Sequence, residues 1–158
     1  MISSPLDRFA LYDLYAEYGG LIDATRYDDW LGLFADACTY QIMPRENRDL
    51  GLPAGLIYCD SRSVLEDRIR ALREANKYNI HTDRHLIGLP RIITGKPEGL
   101  SVEAAFAVFQ SDQEGATRLF ATGLYCDTLA TEGGRLKFRD KLILLDSFAV
   151  PSLLATPL

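Results

Sequence analysis

Apolar residues in the first part of the chain recur at three- and four-residue steps. From Leu6 to about Ile22, the residues Leu11, Leu14, Tyr15, Tyr18, Leu21 and Ile22 share one face, which predicts an amphipathic helix. Asp7 stands where it would cap or charge the first turn. Gly19 and Gly20 weaken the helix near its end and allow a bend. "YDDWLGLF" (27–34) predicts a second short helix that presses Trp30, Leu33 and Phe34 inward. In "ADACTYQIM" (35–43) the period becomes two, with Cys38, Tyr40 and Ile42 opposed to Thr39, Gln41 and Met43, as in a strand.

"PRENRDLGLPAG" (44–55) is a polar loop punctuated by proline and glycine. A third helix opens at Ser61 or Ser63, with Glu66 three residues after Ser63 as in a capping box. Its buried face would be Val64, Leu65, Ile69 and Leu72. After Asn79 the alternation predicts four long strands: "RHLIGLPRII", "LSVEAAFAVFQS", "TRLFATGLYCDTLA" and "RLKFRDKLILLDSFAV". Turns fall at "GKPEG", "DQEG" and "EGG". Helices first and strands after predict an α+β fold, helices packed on a curved, mainly antiparallel sheet. That order resembles the cone shared by nuclear transport factor 2 and ketosteroid isomerase, a likeness of fold and not of function.

Composition narrows the function classes. The 158 residues are read as one domain, 47% hydrophobic and 25% charged, with a net charge of −5. That acidity argues against nucleic acid, which needs a basic face to displace counterions. No apolar run approaches the roughly 20 residues of a membrane span, and no signal peptide is visible at the start. Cys38, Cys59 and Cys126 are odd in number and widely spaced, which predicts reduced thiols and a cytoplasmic location.

The residues offer three chemistries. His81, Asp83 and His85 alternate, so on a strand they would point one way, and two His with a carboxylate is an iron-binding set. Adjacent alternate positions rarely splay enough for three facial ligands, so no metal is expected here. A Rieske cluster needs Cys-x-His and Cys-x-x-His pairs, and neither spacing occurs. Acid–base catalysis is a second option: Asp23 and His85 could meet in a central cavity, with Tyr27 and Tyr40 as donors. The plainer reading is a satisfied hydrogen-bonded pair inside the fold. Nucleophile and nucleotide-binding motifs are missing. Arg62, Arg68, Arg70 and Arg73, interleaved with acids, read as a solvated helix face, part of which could serve an interface.

"ENRDLGLPAGLIYCDSRSVLEDRIRALREANKYNIHTDRHLIG" (46–88) resembles the small, or β, subunit of Rieske non-haem iron ring-hydroxylating oxygenases. "YDDWLGLFADACTYQI" and the ending "DSFAVPSLLATPL" are similar to the same family, so the likeness spans nearly the whole chain. Within it, "ALREANKY" followed by "RHLIGLPRI" looks most like the terephthalate dioxygenase type, with anthranilate dioxygenase and salicylate hydroxylase nearby. The resemblance implies a non-catalytic, structural subunit in an α3β3 assembly, with no cofactor in this chain. A large subunit would hold the Rieske [2Fe-2S] cluster and mononuclear Fe(II), and NADH would act through a reductase. Arg45, Asp60, Arg68, Tyr78, Arg84 and His85 become candidate interface residues. The apolar "LLATPL" should dock on its own sheet or a partner. Asp23 and His85 also match positions used by scytalone-dehydratase-like members of the fold, so a cofactor-free dehydratase or isomerase stays open as the alternative, as does a small-ligand binding module.

Overall fold

A computed structural model describes residues 5–53, 55–74, 80–96, 99–150 and 154–158. Among them the order is α1 (Pro5–Asp23), α2 (Tyr27–Leu31), β1 (Phe34–Pro44), α3 (Arg45–Asp49), β2 (Ile57–Cys59), α4 (Arg62–Glu74), then β3 (His81–Ile87), β4 (Arg91–Lys96), β5 (Gly99–Asp112), β6 (Thr117–Glu132) and β7 (Arg135–Leu145). One seven-stranded sheet runs β2-β1-β7-β6-β5-β3, with β4 also pairing β5. All pairings are antiparallel except β1 with β7, which is parallel. Helix α1 packs on β3 and β7, and α4 on β1 and β2. The α+β architecture expected from the chain order is present.

The predicted face of α1 (Leu11, Leu14, Tyr15, Tyr18, Leu21 and Ile22) is buried throughout. Gly19 serves a different purpose from the bend expected of it. A Cβ there would stand 3.0 Å from Ile87 Cδ1 and 3.1 Å from His85 Cβ, so glycine lets α1 lie close on β3. Thr25 ends the helix with φ 56°, in the left-handed region where a non-glycine residue is strained.

Several expectations need correction. The second helix stops at Leu31, and Phe34 instead opens β1. The expected polar loop contains α3 and is followed by β2. "RHLIGLPRII" is split into β3 and β4 because its Gly-Leu-Pro interrupts the ladder, proline having no N–H to donate. On α4, Leu65, Ile69 and Leu72 are buried, whereas Val64 is exposed. The cap is Ser61, whose Oγ accepts the Val64 N–H at 3.4 Å. Glu66 accepts from Arg62 Nε at 2.9 Å and so takes no part in a capping box.

The core is strongly aromatic. Tyr18 lies 5.8 Å from Trp30 and 5.3 Å from Phe138 between ring centroids. Trp30 lies 4.8 Å from Phe34, and Phe106 stacks on Tyr125 at 4.3 Å. Such pairs add about 0.5–1.5 kcal/mol each beyond area burial.

Candidate functional site

Strand β3 alternates between buried and exposed positions: Asp83 and His85 face inward, Thr82, Arg84 and Leu86 outward. Because Gly19 brings α1 close, Asp23 at the helix end reaches this strand. Its Oδ1 is 2.6 Å from His85 Nδ1, and its Oδ2 accepts the His85 backbone N–H at 2.9 Å. Two bonds from one carboxylate to one residue hold the imidazole firmly. The His85 side chain has no exposed surface, and Nε2 has no hydrogen-bond partner. Asp23 and His85 therefore meet, as the sequence suggested they could.

The space beside this pair is small. An opening of about 70 Å³ is lined by Asp23, Thr25, Tyr27, His81, Asp83 and Thr156. Ligand pockets for drug-sized molecules run to about 300–1,000 Å³, so this one has room for water and not for an aromatic ring. Tyr27 lines it, but Tyr40 does not belong to it: the Tyr40 hydroxyl accepts the Leu158 backbone N–H at 3.2 Å. A larger groove of about 760 Å³ lies outside, between α1, α2 and the β6–β7 turn. Acidic Asp13, Glu17 and Asp29 and basic Arg26, Arg135 and Lys137 line it, with none of the expected site residues.

The interior holds a pair that sequence reasoning missed. Lys141 Nζ donates to Asp127 Oδ2 at 2.8 Å, and neither side chain has exposed surface. The ammonium sits 3.4 Å from the centroid of the Tyr125 ring and 4.2 Å from that of Tyr18, within cation–π reach. Tyr15 donates its hydroxyl to the same carboxylate oxygen. Burial pushes Lys141 down to about 8, against the pull of Asp127. The Asp127 carboxyl is pushed up by the same burial, opposed by Lys141, while desolvation drives Tyr15, Tyr18 and Tyr125 well above the ordinary phenol range. Burial thus moves the phenols away from neutral pH and moves both the Asp127 carboxyl and the Lys141 ammonium toward it.

The interface candidates fall into three groups. Arg45, Asp60 and Arg84 are exposed. Arg45 pairs with Asp146, and Arg84 Nη1 lies 3.7 Å from Asp23. Arg68 and His85 turn inward instead: Arg68 Nη2 donates to the Leu154 carbonyl at 3.2 Å, and His85 is buried. In this chain α1 covers the His85 side chain. Tyr78 lies outside the described residues.

Metal donors do not converge. Among the described residues no three His, Cys, Asp or Glu side chains form a possible ligand set. His85 Nδ1 is committed to Asp23, and His81 Nε2 stands 3.1 Å from Asp83. Cys38 and Cys59 are buried near the β2 edge, and Cys126 lies on β6, half-buried. A two-Cys, two-His cluster does not fit these positions.

Comparison with known proteins agrees with this geometry. The model of the ring hydroxylating beta subunit family matches residues 19–152. The chain is 35% identical to the anthranilate 1,2-dioxygenase small subunit of Burkholderia cepacia, covering 95% of this chain and 93% of the relative. It is 38% identical to a terephthalate 1,2-dioxygenase terminal oxygenase beta subunit of Comamonas, covering 90% and 93%. A dioxygenase beta subunit of Novosphingobium aromaticivorans superposes with a TM-score of 0.88 at 40% identity, over 97% of each chain. A scytalone dehydratase-type protein of the same species shares the fold alone, at TM-score 0.72 and 13% identity over 96% of this chain and 91% of that one. The chain therefore belongs to the ring-hydroxylating beta-subunit family and is a small subunit of an aromatic-ring-hydroxylating dioxygenase, part of an oxidoreductase complex.

Proposed function

We propose that this chain, as one domain, is the non-catalytic, structural small subunit of a cytoplasmic dioxygenase acting on a carboxylated aromatic of the terephthalate or anthranilate kind. Its partner is a large subunit in an α3β3 hexamer. That subunit carries the Rieske [2Fe-2S] cluster and mononuclear Fe(II), and NADH supplies electrons through a reductase. The observation that carries this reading is the filled interior. Lys141, Asp127 and the rings of Tyr15, Tyr18, Tyr125 and Phe138 occupy the centre of the cone, and the opening beside Asp23 and His85 is too small for a ring. The substrate class rests on the relatives, two of which carry anthranilate and terephthalate in their names.

Exposed Arg45, Asp60 and Arg84 are the surface groups offered for contact with the large subunit or a second small subunit. Purifying the chain alone and together with its large subunit tests the reading. Ring hydroxylation by the pair and none by the lone chain is expected. Stoichiometric iron or turnover in the lone chain would overturn it.

The rival reading, a cofactor-free dehydratase or isomerase, draws on the 2.6 Å bond between Asp23 and His85. It requires that substrate reach Nε2 of a side chain without exposed surface. It predicts that His85→Ala abolishes a turnover that the lone chain performs.

A further inference from the structure

The segment Leu154–Leu158 runs into the core. Leu158 is 1% exposed, Thr156 5% and Ala155 6%. Four elements bind the segment from inside the cone. Tyr18 of α1 donates its hydroxyl to the Leu158 carbonyl, and Tyr40 of β1 accepts the Leu158 N–H at 3.2 Å. Asp83 of β3 accepts the Thr156 hydroxyl at 3.0 Å, and Arg68 of α4 donates to the Leu154 carbonyl at 3.2 Å. The Leu158 side chain joins the aromatic core. This is how a ligand is held: an apolar body in an aromatic pocket, oriented by a few convergent polar groups.

A second observation points the same way. Trp30 Nε1 and the Tyr125 hydroxyl are buried without a hydrogen-bond partner. Their rings pack on Tyr18, at 5.8 and 5.6 Å between centroids, beside the group that anchors Leu158. Buried donors are nearly always partnered in folded proteins. Two idle donors next to the anchoring hydroxyls give the pocket more hydrogen-bonding capacity than the segment uses.

We propose that residues 154–158 act as an intramolecular ligand, and that the space they fill is a binding site for a small aromatic molecule bearing a hydrogen-bond acceptor. The Tyr18 and Tyr125 hydroxyls and the Trp30 N–H supply donors for a carbonyl or carboxylate oxygen. The rings of Tyr18, Trp30, Phe34 and Tyr40, tilted or edge-to-face to one another, supply apolar surface. The proposal concerns the interior once residues 154–158 have left it, so it leaves the filled interior behind the subunit reading intact, and its outcome does not depend on assembly with a large subunit.

The test uses the full chain carrying Leu158→Glu, which places a carboxylate where burial is nearly complete and so ejects the segment. Trp30 is the sole tryptophan and reports on the pocket. The expected result is an unchanged far-ultraviolet circular dichroism spectrum and a severalfold rise in acrylamide quenching of Trp30. Either the peptide Leu-Ala-Thr-Pro-Leu added in trans or benzoate should reverse that rise saturably. A folded variant whose Trp30 stays as protected as in the parent overturns the proposal, as does quenching that neither addition reverses. Reversal by the peptide alone overturns its small-molecule half. Should Leu158→Glu fail to fold, Leu158→Ala leaves a smaller void in the full chain. Benzene should then raise the Tm of that variant and not of the parent, by binding the native state only. No such rise overturns the proposal.

Discussion

Lys141 enters the core as a cation among aromatic rings, with Asp127 as its counter-ion. Burying two charges costs several kcal/mol per ion, so the pair is weak evidence for stability, but removing one partner is expensive. Lys141→Met leaves the Asp127 carboxylate without a cation, and a loss of about 3–5 kcal/mol at neutral pH is expected. Sign matters here. A carboxyl whose native pKa is raised by burial holds its proton longer folded than unfolded, so stability is present below the unfolded value of about 3.9 and is lost as pH rises. Denaturant midpoints of Lys141→Met should therefore fall from acid toward neutral pH. In the parent chain Lys141, lowered to about 8 from 10.5, has the opposite slope. Between those values the unfolded state binds more protons, so this group's contribution rises with pH. The double variant Asp127→Asn with Lys141→Met should recover much of the single variant's loss, as a coupled pair does.

At the scale of elements, close approach decides what is tolerated. A Cβ on Gly123 would stand 1.9 Å from the Leu144 carbonyl oxygen, so β6 and β7 could not keep their register. Gly123→Ala should cost about 3 kcal/mol or more, read as a fall in Tm. Gly19 meets side-chain atoms at 3.0–3.1 Å instead, and those can shift a little. Gly19→Ala gains helix propensity of about 0.8–1 kcal/mol and loses packing, whereas Gly19→Val should push α1 off β3. Nuclear magnetic resonance of the His85 ring is the fitting check. Its Nδ1 proton signal, held by Asp23, should broaden or vanish in Gly19→Val and persist in Gly19→Ala.

For the whole molecule the prediction concerns assembly. Asp60→Arg and Arg84→Ala change exposed groups, so the lone chain should keep its Tm. If these residues face the large subunit, co-purification with it falls and the hydroxylation rate of the complex falls in proportion. Unchanged co-purification with both variants would remove these positions from the interface. His85→Ala, by contrast, should lower the Tm of the lone chain, because it empties core volume and removes the side-chain bond to the buried Asp23 carboxylate, leaving the backbone one.

Much of the fold was legible because local periodicity reports which face is buried. The α1 stripe, the inward Cys38, Tyr40 and Ile42, and the alternation of β5 and β6 all follow from side-chain direction at each residue. Residues 46–88 carried the family likeness, and the encounter of Asp23 with His85 was within reach of spacing. Lys141 was not. Strict alternation from Phe138 would turn it outward, but the pairing shifts register between Thr128 and Leu129 opposite this stretch, and the extra residue turns it inward. Val64 stands at the edge of the buried face of α4, exposed, where one helical face grades into the next and periodicity does not separate them. The sequence by itself determined the helices, the strand faces and the kinship. Only the tertiary structure decided that Lys141, Asp127 and residues 154–158 fill the cone, because bulges, close approaches and long-range hydrogen bonds depend on partners far away along the chain.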